Sequence, residues 1–224
     1  MCVGTDLDSI GVLRRRQGDL HGALEMHKQA LEIRRNVGDR AGVAAALYNM
    51  GNVLEVLGDL PAADRAAAES LDIRNQLGER RASALTMSRL GNIRRHEGKL
   101  ADALRMTQQA LAGLRAIGDR GGTAMAQANL GLLLFDKGDL AGSRAELEAA
   151  LEIRRQQHDK NNMSQVLTRL ARVALAEDKL SEATNLVAES IALRQELGEA
   201  ITIAQSKLVM GALPTCTVRV MSEQ

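Results

Sequence analysis

At 224 residues with 29 basic and 28 acidic side chains, the chain carries a formal net charge of +1, so no global field draws it to nucleic acid or to an anionic membrane. Tyr48 and Phe135 are its two aromatic residues, and a core must come from Ala, Leu, Val, Ile and Met, which suits an all-α fold. Cys2 and Cys216 have no metal-type spacing, the opening MCVGTDLDSI lacks a signal peptide's basic start and apolar run, and the uncharged runs 41–54 and 121–135 fall short of a membrane span of ~18 residues; a cytoplasmic chain without metal or cofactor is expected.

Laid out in steps of 40, the chain aligns with itself without insertion. One column holds Gly11, Gly51, Gly91, Gly131, Ala171 and Gly211. Another holds Gly18, Gly58, Gly98 and Gly138, followed by Asp19, Asp59, Lys99 and Asp139. A third holds Leu31, Leu71, Leu111, Leu151 and Ile191. Such a period means stacked supersecondary units, none of which can bury its apolar face alone.

The first helix is expected to open only near Thr5 or Asp6. The second copy shows the unit most clearly. Val43, Leu47, Met50, Val53, Leu54 and Leu57 recur at helical spacing and predict helix A from Arg40 to Leu57. Gly58 ends it, Asp59 caps helix B, and Pro61 sits harmlessly in the first turn. Helix B runs on through Ala63, Ala67, Leu71, Ile73 and Leu77.

The same punctuation recurs at Gly38-Asp39, Gly78-Glu79, Gly118-Asp119 and Gly198-Glu199, while His158-Asp159 lacks the glycine and predicts a looser corner. A glycine inside a helix costs about 1 kcal/mol against alanine, so Gly51, Gly91 and Gly131 are expected where helix B crosses closely. Arg34, Arg35, Arg74, Arg115, Arg154, Arg155 and Arg194 fall near the ends of B helices, where positive charge suits the helix dipole. They read as a solvated convex surface, with Glu32 and Glu152 pairing to Arg35 and Arg155 at i,i+3.

The repeats span about 5–38, 40–78, 80–118, 120–158 and 160–198 in one continuous domain, 1–211. A partial capping helix is expected at 200–210 and an irregular tail at 212–224, where Pro214 forbids a simple helical continuation. The short first helix and the abandoned sixth repeat predict a piece of a longer array.

The pairs Met50-Gly51, Leu90-Gly91 and Leu130-Gly131, the turns Gly58-Asp59-Leu60, Gly98-Lys99-Leu100 and Gly138-Asp139-Leu140, and the small residues Ala63, Ala103, Ala183, Ser70, Ala110, Ala150 and Ser190 together resemble the tetratricopeptide repeat (TPR). The period is 40 rather than the usual 34 or so, as in the longer repeats of kinesin light chains, LGN/Pins-type adaptors and bacterial signalling regulators. The tryptophan and tyrosine slots of the common pattern hold smaller residues here, among them Leu47, Met87, Gln127 and Leu167. The resemblance implies a right-handed α-solenoid of about five helix-turn-helix repeats, with its ligand on a concave wall lined by the A helices.

Matching columns then name the wall. One stripe is Asp8, Tyr48, Ser88, Ala128 and Thr168; the next is Ser9, Asn49, Arg89, Asn129 and Arg169. One turn on come Val12, Asn52, Asn92, Leu132 and Arg172, then Arg15, Glu55, Arg95, Phe135 and Leu175, then Arg16, Val56, His96, Asp136 and Ala176. The amides of Asn49, Asn52, Asn92 and Asn129 suit either the main chain of an extended peptide or the neighbouring helices. Arg15, Arg16, Arg89, Arg95, Arg169, Arg172 and His96 outnumber Glu55 and Asp136, which points to an acidic partner segment, against a merely solvated face. Tyr48 and Phe135 are either anchors for a ligand or packing between A helices.

His21, His27, His96 and His158 show no metal-ligand or catalytic spacing, and no glycine run forms a phosphate loop. The chain therefore reads as a non-catalytic scaffold for a protein or peptide, with no nucleic acid or membrane expected. The alternatives are an RNA-binding solenoid and end-to-end self-association.

Overall fold

The computed structural model describes residues 2–197. Within them the chain is an all-α helical repeat array: α1 (Cys2–Arg16), α2 (Leu20–Asn36), α3 (Arg40–Leu57), α4 (Leu60–Gln76), α5 (Arg80–His96), α6 (Leu100–Ala116), α7 (Arg120–Asp136), α8 (Leu140–Gln156), α9 (Lys160–Ala176) and α10 (Leu180–Glu196). The chain divides into two compact units, Met1–Asp119 and Arg120–Gln224. In the first, α1 packs on α2, α3 on α4 and α5 on α6, while α2 also lies against α3 and α4 against α5. In the second, α7 packs on α8 and α9 on α10, with α8 against α9. No described helix is long and apolar enough to cross a membrane.

Each core is built from the apolar stripes that the 3.6-residue period places on one face of each helix. In the first unit Leu31, Val43, Leu47, Leu54, Ala63, Ala67, Leu90 and Ile93 pack together. In the second, Leu147, Leu151, Val166, Leu167, Leu170 and Val173 do so. The small central residues let the helices approach. A Cβ placed on Gly91 would lie 2.5 Å from Thr107 Oγ1 and 3.2 Å from the Ala103 carbonyl oxygen, both on the paired helix.

The corners repeat one geometry. Gly58 has φ +83°, Asp59 N–H donates to Leu54 O at 3.0 Å, and the Asp59 carboxylate accepts from Ala62 N–H at 3.1 Å to cap α4. Asp19 and Asp139 cap α2 and α8 in the same way. The corner at His158 is not looser. His158 adopts φ 52° itself, and Asp159 N–H donates to Arg154 O at 3.0 Å as at the glycine corners. Asp178 does the same with φ 59°. The hydrogen bonds that close the turn outweigh the strain of a left-handed non-glycine residue, of order 1–2 kcal/mol.

Three further expectations are corrected. Helix α1 opens at Cys2 rather than near Thr5, because nothing between Cys2 and Asp6 interrupts the helix and Gly4 is buried close to the Arg34 side chain. Arg34, Arg74 and Arg194 are buried, not solvated, and the Arg154 side chain is 11% exposed. They reach across to a helix A: Arg34 Nη1 donates to Gly42 O at 2.9 Å, Arg74 Nη1 to Ala82 O at 3.0 Å, Arg154 Nη2 to Gly121 O at 3.0 Å, and Arg194 Nε to Ser164 Oγ at 3.2 Å. Arg35 and Arg155 are exposed as expected. Their partners, however, are Glu69 at 2.8 Å and Glu189 at 3.3 Å on the next helix B, not Glu32 and Glu152. The expected capping helix at 200–210, the corner at 198–199, Gly211, Cys216 and the tail at 212–224 lie outside the described residues.

Candidate partner-binding face

The stripe of Asp8, Tyr48, Ser88, Ala128 and Thr168 turns toward the B helices instead of opening onto a wall. Asp8, Ser88 and Ala128 are buried. Asp8 Oδ1 lies 2.6 Å from Nδ1 of buried His27, and its other oxygen accepts from Arg34. Thr168 Oγ1 meets Ser190 Oγ at 2.9 Å. The reason is the depth of the helix pair: a side chain at this register meets the last turns of its own helix B, where Arg34, Arg74 and Arg194 sit. Tyr48 and Thr168 are the partly exposed members, and the guanidinium of Arg74 lies over the Tyr48 ring at 5.0 Å from the centroid, a cation–π contact.

In the first unit the accessible side of the A helices carries Arg15 and Arg16 from α1, Asn49, Asn52 and Glu55 from α3, and Arg89, Asn92, Arg95 and His96 from α5. Glu55 is its hub. With its side chain 6% exposed, it accepts from Arg89 Nη1 at 3.0 Å, lies 3.2 Å from His96 Nδ1, and accepts from the Asn92 amide. Asn92 Oδ1 in turn accepts from Arg95 Nε at 3.3 Å, and an Arg95 nitrogen meets His96 Nε2.

Burial alone would raise the pKa of Glu55. The His96 hydrogen bond and the charge of Arg89 outweigh it and hold the carboxylate below its ordinary value. Asn52 Oδ1 is buried where no protein donor reaches it, whereas the Asn92 amide is already engaged by Glu55 and Arg95. Asn49 stays half-exposed.

The remaining charge is positive. Arg15, Arg16, Arg89 and Arg95 share this side with Glu55, whose carboxylate accepts from Arg89 at 3.0 Å. Burial, then the neighbouring charges of Arg89 and Arg16, pull the Arg15 guanidinium below its usual range, against an opposing pull from Tyr48. Three helices thus bring four arginines and one glutamate to this side of the first unit.

In the second unit Asn129 and Phe135 on α7 and Arg169 on α9 are half-buried, and Arg172 on α9 is exposed. The Arg172 guanidinium lies 5.0 Å from the Phe135 ring centroid, so this ring is covered by a cation and is not a bare apolar anchor.

Residues 37–208 match the profile of the MalT-like TPR region, and residues 7–41 match a tetratricopeptide repeat. The chain belongs to the MalT-like TPR family. Comparison with curated protein sequences finds no significant match. Among solved structures, this TPR array is similar to a Rap protein complexed with Competence and Sporulation Factor, with TM-score 0.85 and 18% identity over 92% of this chain and 58% of that one. It is similar to the Rap conjugation gene regulator of plasmid pLS20 in complex with a Phr peptide, with TM-score 0.83 and 15% identity over 95% and 59%. It also resembles a thermophilic TPR protein of Thermus thermophilus, with TM-score 0.69 and 18% identity over 92% and 99%. The array spans under three-fifths of either Rap chain, and at these identities the likeness is one of fold.

Among the expected site residues of the TPR array, the structure gathers Arg89, Asn92, Arg95 and His96 around Glu55. It sets Tyr48 under Arg74 and Phe135 under Arg172. Glu55, which charge counting treated only as a minority on this wall, is the side chain around which Arg89, Asn92 and His96 meet. Its signal was present, because Glu55 and Arg89 differ by 34 positions and fall on the same wall of successive A helices, their stripes separated by that of Asn52 and Asn92.

Proposed function

We propose that this chain is a cytoplasmic, non-catalytic scaffold whose A helices hold an acidic segment of a partner protein or peptide, as the regulatory part of a signalling system. The observation that carries the reading is the charge of the accessible face in the first unit, where Arg15, Arg16, Arg89 and Arg95 accompany one carboxylate, Glu55, that Arg89 and His96 already engage. Arginine forks pair bidentately with carboxylates, and several on one face favour a segment with more than one acidic residue. One neighbour of the same fold was solved in complex with a Phr peptide and another with Competence and Sporulation Factor, and belonging to the MalT-like TPR family agrees with a scaffold role.

The test is fluorescence anisotropy with a labelled decapeptide of alternating Glu and Ala, against the same peptide with Lys for Glu and against single-stranded RNA. Binding of the acidic peptide alone is expected, weakening several-fold between ~50 and ~300 mM salt as screening sets in. Arg15→Ala with Arg95→Ala should weaken it at least tenfold, about 1.4 kcal/mol, with an unchanged melting temperature. Equal binding of the basic peptide, tight salt-sensitive retention of RNA, or binding untouched by the two substitutions would overturn the proposal.

A further inference from the structure

Helix α1 carries an apolar face that α3, α5 and α9 have covered. Val3, Ile10 and Leu13 are 60%, 42% and 56% exposed. Forty residues on, Val43 and Val53 are 7% and 0% exposed and Met50 is packed into the core; eighty residues on, Ser83, Leu90 and Ile93 are 8%, 2% and 0% exposed. On α9, Leu170 and Val173 are 2% and 1% exposed. In those cases a preceding B helix lies on this side: α2 on α3, α4 on α5, α8 on α9. No described helix does so for α1. The spacing of 3, 10 and 13 keeps the three side chains on one stripe, on the other side of α1 from Arg15.

The charges along this stripe identify what fits it. Asp6 is exposed near the start of the helix and Arg14, Arg15 and Arg16 fill its last turn, Arg14 meeting Asp19 at 3.5 Å in a pair that leaves its side chain 42% exposed and open to a second carboxylate. A second α1 laid parallel would set arginines against arginines. Laid antiparallel about a two-fold axis at Ile10, it brings Ile10 against Ile10 of the second copy, Asp6 against its Arg14, and Val3 against its Gln17. The Asp6–Arg14 ion pair forms twice, and the helix dipoles oppose favourably. We infer that the exposed Val3, Ile10 and Leu13 face of α1 is a self-complementary surface through which two copies of this chain form an antiparallel, two-fold dimer. One helix face is small for an interface, so the dimer is weak, with a Kd in the micromolar range or above.

Sedimentation equilibrium of the full chain from about 1 to about 500 µM tests it. The expected result is a mass that doubles and stops. Ile10→Glu should abolish the doubling with the melting temperature of the monomer unchanged, since Ile10 is exposed. Asp6→Arg should weaken dimerisation at least tenfold, and Asp6→Arg combined with Arg14→Asp should restore it. A monomer at every concentration, growth beyond two copies as for a head-to-tail contact, or a dimer indifferent to Ile10→Glu would each overturn the inference.

Discussion

Alanine at Gly51 should leave stability equal or raise it, whereas alanine at Gly131, eighty residues on in the same column, should lower it. A helix-interior alanine gains about 1 kcal/mol over glycine wherever there is room for its methyl group. At Gly51 a Cβ would stand 3.4 Å from the Ala63 carbonyl oxygen and 3.7 Å from Ala67 N. That is ordinary contact, and most of the gain survives. At Gly131 a Cβ would stand 2.7 Å from Leu147 Cγ, 3.0 Å from its Cδ2 and 3.2 Å from the Ser143 carbonyl oxygen. Leu147 is 1% exposed in the core of its unit, and Cγ is the branch point of the side chain, so either the leucine leaves its rotamer or α8 retreats. Overpacking of this kind costs about 1–3 kcal/mol, and the two variants should differ by about that amount. Urea unfolding followed by circular dichroism gives the comparison, with similar slopes required because repeat arrays can lose cooperativity. If Gly131→Ala gained as much stability as Gly51→Ala, the close crossing would not be why this column stays small.

Arg74→Ala should cost about 2–4 kcal/mol, since it removes charged hydrogen bonds to Ala82 O and Thr86 Oγ1, uncovers the Tyr48 ring and leaves a cavity. Arg74→Leu should cost roughly half as much in the same urea titration, because the buried Arg74 Nε has no partner to lose and the column already accepts Leu114, which is 0% exposed. His158→Gly should stabilise by about 0.5–1 kcal/mol, raising the urea midpoint, since it relieves a left-handed φ of 52° at no loss of a side-chain contact essential to the turn. The Glu177 carboxylate, bonded by Arg144 and then Lys179, is held down to about 2 from an ordinary 4.5. A lowered folded pKa stabilises above the unfolded value and is lost as pH falls through the folded one, so the urea midpoint should drop between about pH 4.5 and 2, and Glu177→Gln should flatten that part of the profile. An unchanged profile in the variant would refute the pairing.

Local chemistry carried most of the fold into the sequence. Helix A of the second copy ends where Gly58 must take a positive φ, and helix B begins where Asp59 can accept an amide proton. These are interactions over a few residues, and a 40-residue repeat shows each several times. The arginine column was misread because its destination is tertiary: Arg74 ends a helix, as a dipole argument asks, yet its guanidinium travels eight residues along the chain and into the next helix A. The misreading was avoidable. A position that holds Arg34, Arg74, Arg154 and Arg194 but also Leu114 is one where an aliphatic side chain is tolerated, and a solvated surface gives no reason for that exchange. The His158 corner failed for the opposite reason, since only the hydrogen bonds of the closed turn show that the backbone can hold a non-glycine residue there.

The candidate face was legible as a set of residues and illegible as a circuit. Periodicity places Glu55, Arg89, Asn92 and His96 on one side of successive helices, but counting charges treats Arg89 as available and Glu55 as a minority. In the folded first unit the two neutralise each other at 3.0 Å, with His96 at 3.2 Å on the other carboxylate oxygen. Arg89 is therefore a fixed part of the face, whereas Arg15, crowded by Arg89 and Arg16, is the guanidinium with most to gain from an incoming anion. An acidic segment should accordingly depend more on Arg15 than on Arg89. Arg89→Ala should act mainly through stability, by releasing Glu55, and Arg15→Ala mainly through affinity. Peptide titrations and melting curves on the two variants separate these effects, and an Arg15→Ala variant that melted early yet bound normally would show that the like-charge crowding serves the fold and not the partner.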